Sequence, residues 1–483
     1  MPDPLALTLA LLLPTAVGSV WLALLTPTQR PGTLAMILGY GHILGLLYSA
    51  VLMLAVDAIG IPLSFTPIIA VLSVTLVLGL LLLWYRPAPT TLLTSPVATT
   101  PNNSLLLWLL AIALGGLLLI RFTGFALEIV WRPLYPWDAW MNWAPKAKVW
   151  FEQRSLVEFV HFSEWLQQTE LQHYTSGAWH YPPLVPMLQL WIALALERWD
   201  EALINLPWLS AGIALGLAFY GQLRLLGLNT PLAVIFTYLL LSVPMMGIHI
   251  VLAGYADIWL ALLYLLASLA LLRWLYEGER GQAVVAILLI AALPLTKIPG
   301  LVWLLAFIPA LAVALLPIRW LLSLAAIGLI GGVTWLLSGG FSVDWPGLGT
   351  IIVQPQRIYV PNIIDDQPSY NPEVWAPLLH QLGAMASWHL LAYILPIAVL
   401  LALWRHPRDR GCWMLITLLI TSLLFLALVF FFSHRSDWII DATTTNRALL
   451  PIMPLGVLLL ALAWRSVTPD EAVAPETPSS EQS

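Results

Sequence analysis

The stretch LALTLALLLPTAVGSVWLALL, Leu5–Leu25, decides the fold class. It holds no charged residue, and a helix needs about 20 consecutive apolar residues to cross the hydrocarbon core of a bilayer. Lipid offers the backbone no hydrogen-bond partner, so a crossing segment is a helix or a strand of a closed barrel. Barrel strands alternate apolar and polar residues, and this run does not. It is preceded by Asp3 and by no Lys or Arg. It therefore lacks the basic leader of a signal peptide and reads as a retained span.

Runs of the same kind recur along the chain. They predict spans at 4–25, 33–56, 66–85, 105–121, 203–222, 230–250, 257–276, 283–297, 299–316, 320–338, 388–404, 412–432 and 447–464, about 13 in all. Pro294, Lys297 and Pro299 interrupt the 283–316 region. Composition agrees with an all-α polytopic membrane protein: 60% of the 483 residues are hydrophobic and 9% charged, with a mean hydropathy of +0.87. Ordinary soluble domains carry about 25% charged residues. The net charge of −5 and the lack of a basic block give no sign of a nucleic-acid partner. With Cys412 as the single cysteine, no internal disulfide is possible.

The short loops carry the orientation. Arg30, Arg86, Arg224, Arg273, Arg280, Arg319, Arg405, Arg408, Arg410 and Arg465 all fall on one side, which positive-inside bias makes cytoplasmic. Two long segments, 122–201 and 339–387, then face outside. The apolar stretch 184–197 breaks the alternation if it crosses, so it reads as a juxtamembrane helix in the outer interface. The chain thus divides into three N-terminal spans with a Pro/Thr/Ser-rich linker (1–104), a module over 105–338 with the outer loop 122–201, a second outer loop (339–387), C-terminal spans (388–466) and a Pro-, Glu- and Ser-rich cytoplasmic tail (467–483) that reads as disordered.

Polar chemistry concentrates in Trp131-Arg-Pro-Leu-Tyr-Pro-Trp-Asp-Ala-Trp-Met-Asn-Trp-Ala-Pro-Lys-Ala-Lys-Val-Trp150. The tryptophans alone suit an aromatic belt at the membrane surface. That leaves Asp138, Asn142, Lys146 and Lys148 to explain. Asp138 and Asn142, four apart, share a helix face, and Pro145 suits the first turn of a helix that projects the two lysines. A carboxylate can take a proton from a hydroxyl, and ammonium groups can hold a departing phosphate; the bland alternative is an ion network that orders the loop. Downstream, Trp179-His180-Tyr181-Pro182-Pro183 forms a rigid turn in which His180 is either a surface anchor or a substrate ligand. Asp257, in Gly254-Tyr-Ala-Asp257, is an ionisable residue at the start of a span, hence a functional candidate or a helix cap. Lys297 sits between two apolar runs and needs an anionic partner, for which Asp257 or a lipid phosphate would serve. Arg447, in Thr443-Thr-Thr-Asn-Arg447, is a phosphate ligand by geometry or an interfacial anchor.

Taken in order, Trp137-Asp-Ala-Trp140 with Lys146-Ala-Lys148, His180-Tyr-Pro-Pro-Leu184, Gly254-Tyr-Ala-Asp257, Leu295-Thr-Lys297 and Arg447-Ala-Leu-Leu-Pro451 resemble the C-type (GT-C) superfamily of polytopic glycosyltransferases. Within it the chain looks like bacterial aminoarabinose transferases and protein O-mannosyltransferases over roughly 120–465. The resemblance implies transfer of a sugar from a polyprenyl-phosphate-linked donor to a glycan, lipid or protein acceptor, outside a bacterial plasma membrane. It implies that Asp138 is the catalytic base and Asp257 the second acid. Asn142, Lys146, Lys148, His180, Tyr181, Lys297 and Arg447 then contact substrate. Some members hold a divalent cation and others need none, so the metal stays open. The chain departs from the family in the three spans before the first loop and in the Ile-Pro-Gly after Lys297. A transporter or flippase of lipid-linked sugars, or a polysaccharide polymerase or ligase, are the rival classes; a transporter would put its charges near the bilayer midplane.

Overall fold

The computed structural model describes residues 3–26, 30–86, 104–168, 172–346, 349–361, 364–442 and 444–465. The linker over 87–104, save Ser104, and the tail 467–483 lie outside the described residues. Three long helices come first, α1 (Asp3–Leu25), α2 (Thr33–Ala58) and α3 (Phe65–Tyr85). Then follow α4 (Leu105–Trp131), α5 (Ala144–Gln153), the short α6 (Phe162–Trp165), α7 (Leu184–Leu196), α8 (Leu206–Leu225), α9 (Thr230–Ser242), α10 (Pro244–Val251), α11 (Asp257–Glu277), α12 (Arg280–Thr296), α13 (Gly300–Leu315) and α14 (Ile318–Ser338). After four strands come α15 (Trp375–Gly383), α16 (Leu391–Arg405), α17 (Arg410–Phe432), α18 (Asp437–Ile440), α19 (Thr445–Leu449) and α20 (Met453–Ala463).

Close backbone contact holds the first helices to the rest. A Cβ on Gly18 would lie 2.0 Å from the Gly41 carbonyl oxygen, and one on Gly45 1.9 Å from that of Pro14. Small residues let α1 and α2 touch in this way, which is how helices pack where lipid removes the hydrophobic drive. On the far side of α2, the Tyr40 hydroxyl donates to Leu266 of α11 at 2.8 Å. α11 is the central element, buried without interruption from Asp257 to Arg273. α4 and α14 form the periphery: α4 buries only Ala111 and Ile129, and α14 buries nothing.

Among the described residues, nine helices are long and apolar enough to span a membrane, and ten if α9 and α10, bent by 64° at Val243, form one broken span. The expected thirteen is reached only by adding α12, α13 and α16, whose apolar helices of 15–17 residues are short of a full crossing. Two further expectations need correction. α4 runs on to Trp131, so the first long segment begins ten residues later than 122; at about 1.5 Å per residue such a helix is longer than the core is thick. The stretch 184–197 is no interfacial helix: every residue of α7 is buried, against α1, α2 and α5. An interfacial helix would keep one face in water, whereas α7 has no polar face to offer apart from Gln189. The fold is the all-α polytopic kind that the sequence implies, with one small addition. Residues 341–366 form a four-stranded antiparallel meander, β1 (Phe341–Trp345), β2 (Gly349–Gln354), β3 (Arg357–Val360) and β4 (Ile364–Asp366), in the order 1-2-3-4. β-branched residues dominate β2, Thr-Ile-Ile-Val after Gly349, and favour strand over helix.

The two ends of the bundle carry different polar residues. At one, Arg30 pairs with Glu277, Arg273 with Glu277 and Glu279, Arg86 donates to the Ala23 carbonyl, and Arg405 to that of Ala463. Arg30, Arg86, Arg273 and Arg405, four of the arginines singled out in the sequence, thus share an end. The other end holds the π-helical turn Ala139–Trp143, α5, the His180 turn and the starts of α11 and α19.

Candidate functional site

The site is built around a glycine. Gly254 adopts φ +95°, and a Cβ there would sit 2.5 Å from that of Ala139. Only glycine combines that backbone with that approach. It lets the turn that follows Trp137 lie against the start of α11, and so brings Asp138 to Asp257. Trp208 Nε1 fixes the same loop by donating to the Tyr255 carbonyl at 2.8 Å.

Arg447 joins the two acids. Its Nε and Nη2 donate to Asp257 Oδ2 at 3.1 and 2.7 Å, and Nη2 also donates to Asp138 Oδ2. Lys297 Nζ donates to Asp257 Oδ1 at 2.9 Å. The guanidinium carbon stands 4.6 Å from the centroid of Tyr255. Two carboxylates and two cations compensate one another, which a charge taken out of water requires. Asp257 spends its carboxylate on Arg447 and Lys297; no side chain caps α11. The side chain of Asp257 is 5% exposed, those of Asp138 and Arg447 19% and 21%. Arg447 Nη1 and two of the three Lys297 N–H groups have no acceptor among the described residues. Asn142 Nδ2 makes a long contact to Asp138 Oδ1, 3.5 Å.

Of the residues singled out in the sequence, Asp138, Asn142, Asp257, Lys297 and Arg447 therefore meet. Lys146 does not join them. Its ammonium is buried and donates to the carbonyls of Trp179 and Tyr181 at 2.8 and 2.9 Å, with the Phe159 ring 5.7 Å away. Burial lowers its pKa to about 8. Lys146 thus pins the His180 turn to α5. His180 is exposed at the surface, edge-on to Trp179 and Tyr181; partial desolvation by these neighbours, then the charges of Lys146 and His161, lower its pKa. Lys148 points outward and has no partner among the described residues.

Three neighbours escaped the sequence reading. Tyr255 receives a long hydrogen bond, 3.5 Å, from the Asp138 backbone N–H; burial, then the charge of Asp138, raise its pKa. His249 of α10 is buried, its ring 5.9 Å from that of Tyr255. Its Nδ1 bonds the Met245 carbonyl at 3.0 Å. A carbonyl only accepts, so that nitrogen carries the hydrogen. An ionisable residue inside an otherwise apolar run was the signal available for His249. Trp388 Nε1 donates to Asn446 Oδ1 at 2.8 Å and fixes the turn beside Arg447. Among the described residues no three His, Cys, Asp or Glu gather as metal ligands. No family model, no curated protein and no solved structure matches the chain.

Proposed function

We propose that this chain is a membrane glycosyltransferase of GT-C type that moves a sugar from a polyprenyl-phosphate carrier to an acceptor hydroxyl. One observation carries the reading: Arg447 bridges Asp138 and Asp257, with Lys297 on the latter, although the four come from four distant segments. A buried ion network of this kind is a weak device for stability and a common one at functional sites. In the reaction the acceptor oxygen attacks the anomeric carbon, and the bond from that carbon to the phosphate oxygen breaks. The hydroxyl proton passes to Asp138, and the polyprenyl phosphate leaves. The unused donors of Arg447 and Lys297 suit the phosphate oxygens. A phosphate that engages Arg447 competes with Asp138 for it and frees that carboxylate to act as base. Asp257 holds both cations in place. Lys146 serves the site by ordering its neighbouring turn.

The arginine-rich end is assigned to the cytoplasm by the positive-inside rule, which puts the acids on the outer side of a bacterial plasma membrane. The break between α9 and α10 favours the other reading, transport of a lipid-linked sugar, since broken helices line transport sites. The two part company in detergent, where transport has no meaning but transfer does. Purified protein given a polyprenyl-phosphate sugar and an acceptor should form product. Asp138→Asn should fold, keep the donor and lose about 10²–10⁴-fold in transfer rate, the contribution of a general base. Near-native turnover by that variant would remove Asp138 from the role.

A further inference from the structure

Arg121 lies within α4, roughly 15 Å along the helix from Trp131 at 1.5 Å per residue. Its guanidinium carbon is 5.1 Å from the centroid of Phe125. Across the gap stands Gly247 of α10, where a Cβ would come within 2.3 Å of Arg121 Nη2. The glycine makes the seat in which the guanidinium rests, just past the break between α9 and α10. Among the described residues Arg121 makes no hydrogen bond and no ion pair, and its Nε is buried without a partner. The contrast within the molecule is sharp: Arg273 and Arg447 each hold two carboxylates. A charge on a membrane-spanning helix is costly and pairs with something. Among the described residues Phe125 and Tyr238 act on it, and no carboxylate does.

The seat opens sideways. Leu117 and Ile120 on α4 and Ile248 on α10 are exposed around it. An anion that reaches Arg121 through such walls carries an apolar body. A planar guanidinium with free donors matches phosphate oxygens. We infer that Arg121 holds the phosphate group of a membrane lipid, seated between α4 and the α9–α10 break. This inference does not depend on the transferase reading.

The test uses the full chain in a zwitterionic detergent, titrated with short-chain phosphatidic acid and, in a second arm, with inorganic phosphate, while thermal unfolding is followed. Phosphatidic acid should raise the unfolding midpoint of the wild type, and inorganic phosphate at equal concentration should not. Arg121→Gln should weaken the lipid by roughly 10–100-fold, the loss of one charge-assisted contact. Its unliganded midpoint should stay or rise, because an unpaired charge has gone from the membrane. Gly247→Ala keeps the charge but pushes the flexible guanidinium out of its seat, and should weaken the lipid in the same direction. Undiminished lipid stabilisation in both variants would overturn the inference, as would an equal response to inorganic phosphate. Asp138→Asn should bind the lipid as the wild type does, so a failure of the transferase reading leaves this result untouched.

Discussion

Asp257 receives Lys297 on one carboxylate oxygen and Arg447 on the other, while Arg447 also holds Asp138. Removing Arg447 would leave two carboxylates facing each other, and breaking a buried pair costs about 3–5 kcal/mol. Arg447→Ala therefore reports on folding before it reports on phosphate, and Arg447→Lys is the cleaner variant. Lys146 offers a different check. Burial holds it near 8 against an ordinary value of 10.5. Between those values the unfolded chain binds the proton that the folded chain has lost. Stability thus rises with pH across that window, and the penalty is fully present below it. Replacing Lys146 with Met removes the titrating group. Relative to that variant, the wild type should gain up to ~3 kcal/mol between pH 8 and 10.5. A difference that stays flat across those pH values in thermal unfolding would contradict the burial of a charged Lys146.

At the scale of elements, the loop before α11 and the π-helical turn after Asp138 are matched surfaces. Gly254→Ala adds both a strained backbone and a collision with Ala139. The strain is worth about 1–3 kcal/mol, and relief requires the turn that carries Asp138 to retreat from Arg447. We expect transfer to fall well beyond what the stability loss explains, and Ala139→Gly added to Gly254→Ala to recover part of it. Equal activity in the single and double variants would mean that the contact does not set the position of Asp138. The span α4 makes a related point. The span expected over 105–121 is a helix that continues past Arg121 and Glu128. Backbone hydrogen bonds hold regardless of what the side chain carries.

The bundle has an arginine-rich end and an end that carries the Asp138–Arg447–Asp257 network, and their sidedness is open to direct measurement. Cys412 is the lone cysteine and is buried, so it gives no background to thiol labelling. Lys148 and Arg408 are exposed at opposite ends. A membrane-impermeant maleimide applied to intact cells should label Lys148→Cys and leave Arg408→Cys unlabelled. The opposite pattern would put Asp138 in the cytoplasm and exclude a lipid-phosphate donor presented outside.

The membrane class and the places of most helices were legible in the sequence, because twenty apolar residues in a row is a local property and lipid allows such a run few forms. The five polar motifs were legible as exceptions to that pattern. What each exception bonds was not. Lys146 and Lys297 look alike on paper, each a lysine beside a proline-containing turn. Only the packing of α5 against the His180 turn gives Lys146 two carbonyls, and only the hairpin of α12 and α13 carries Lys297 to Asp257. The burial of α7, the small sheet and the approach of His249 were likewise decided in three dimensions. Hydropathy says that a segment leaves water; which neighbours receive it depends on helices far away in the chain.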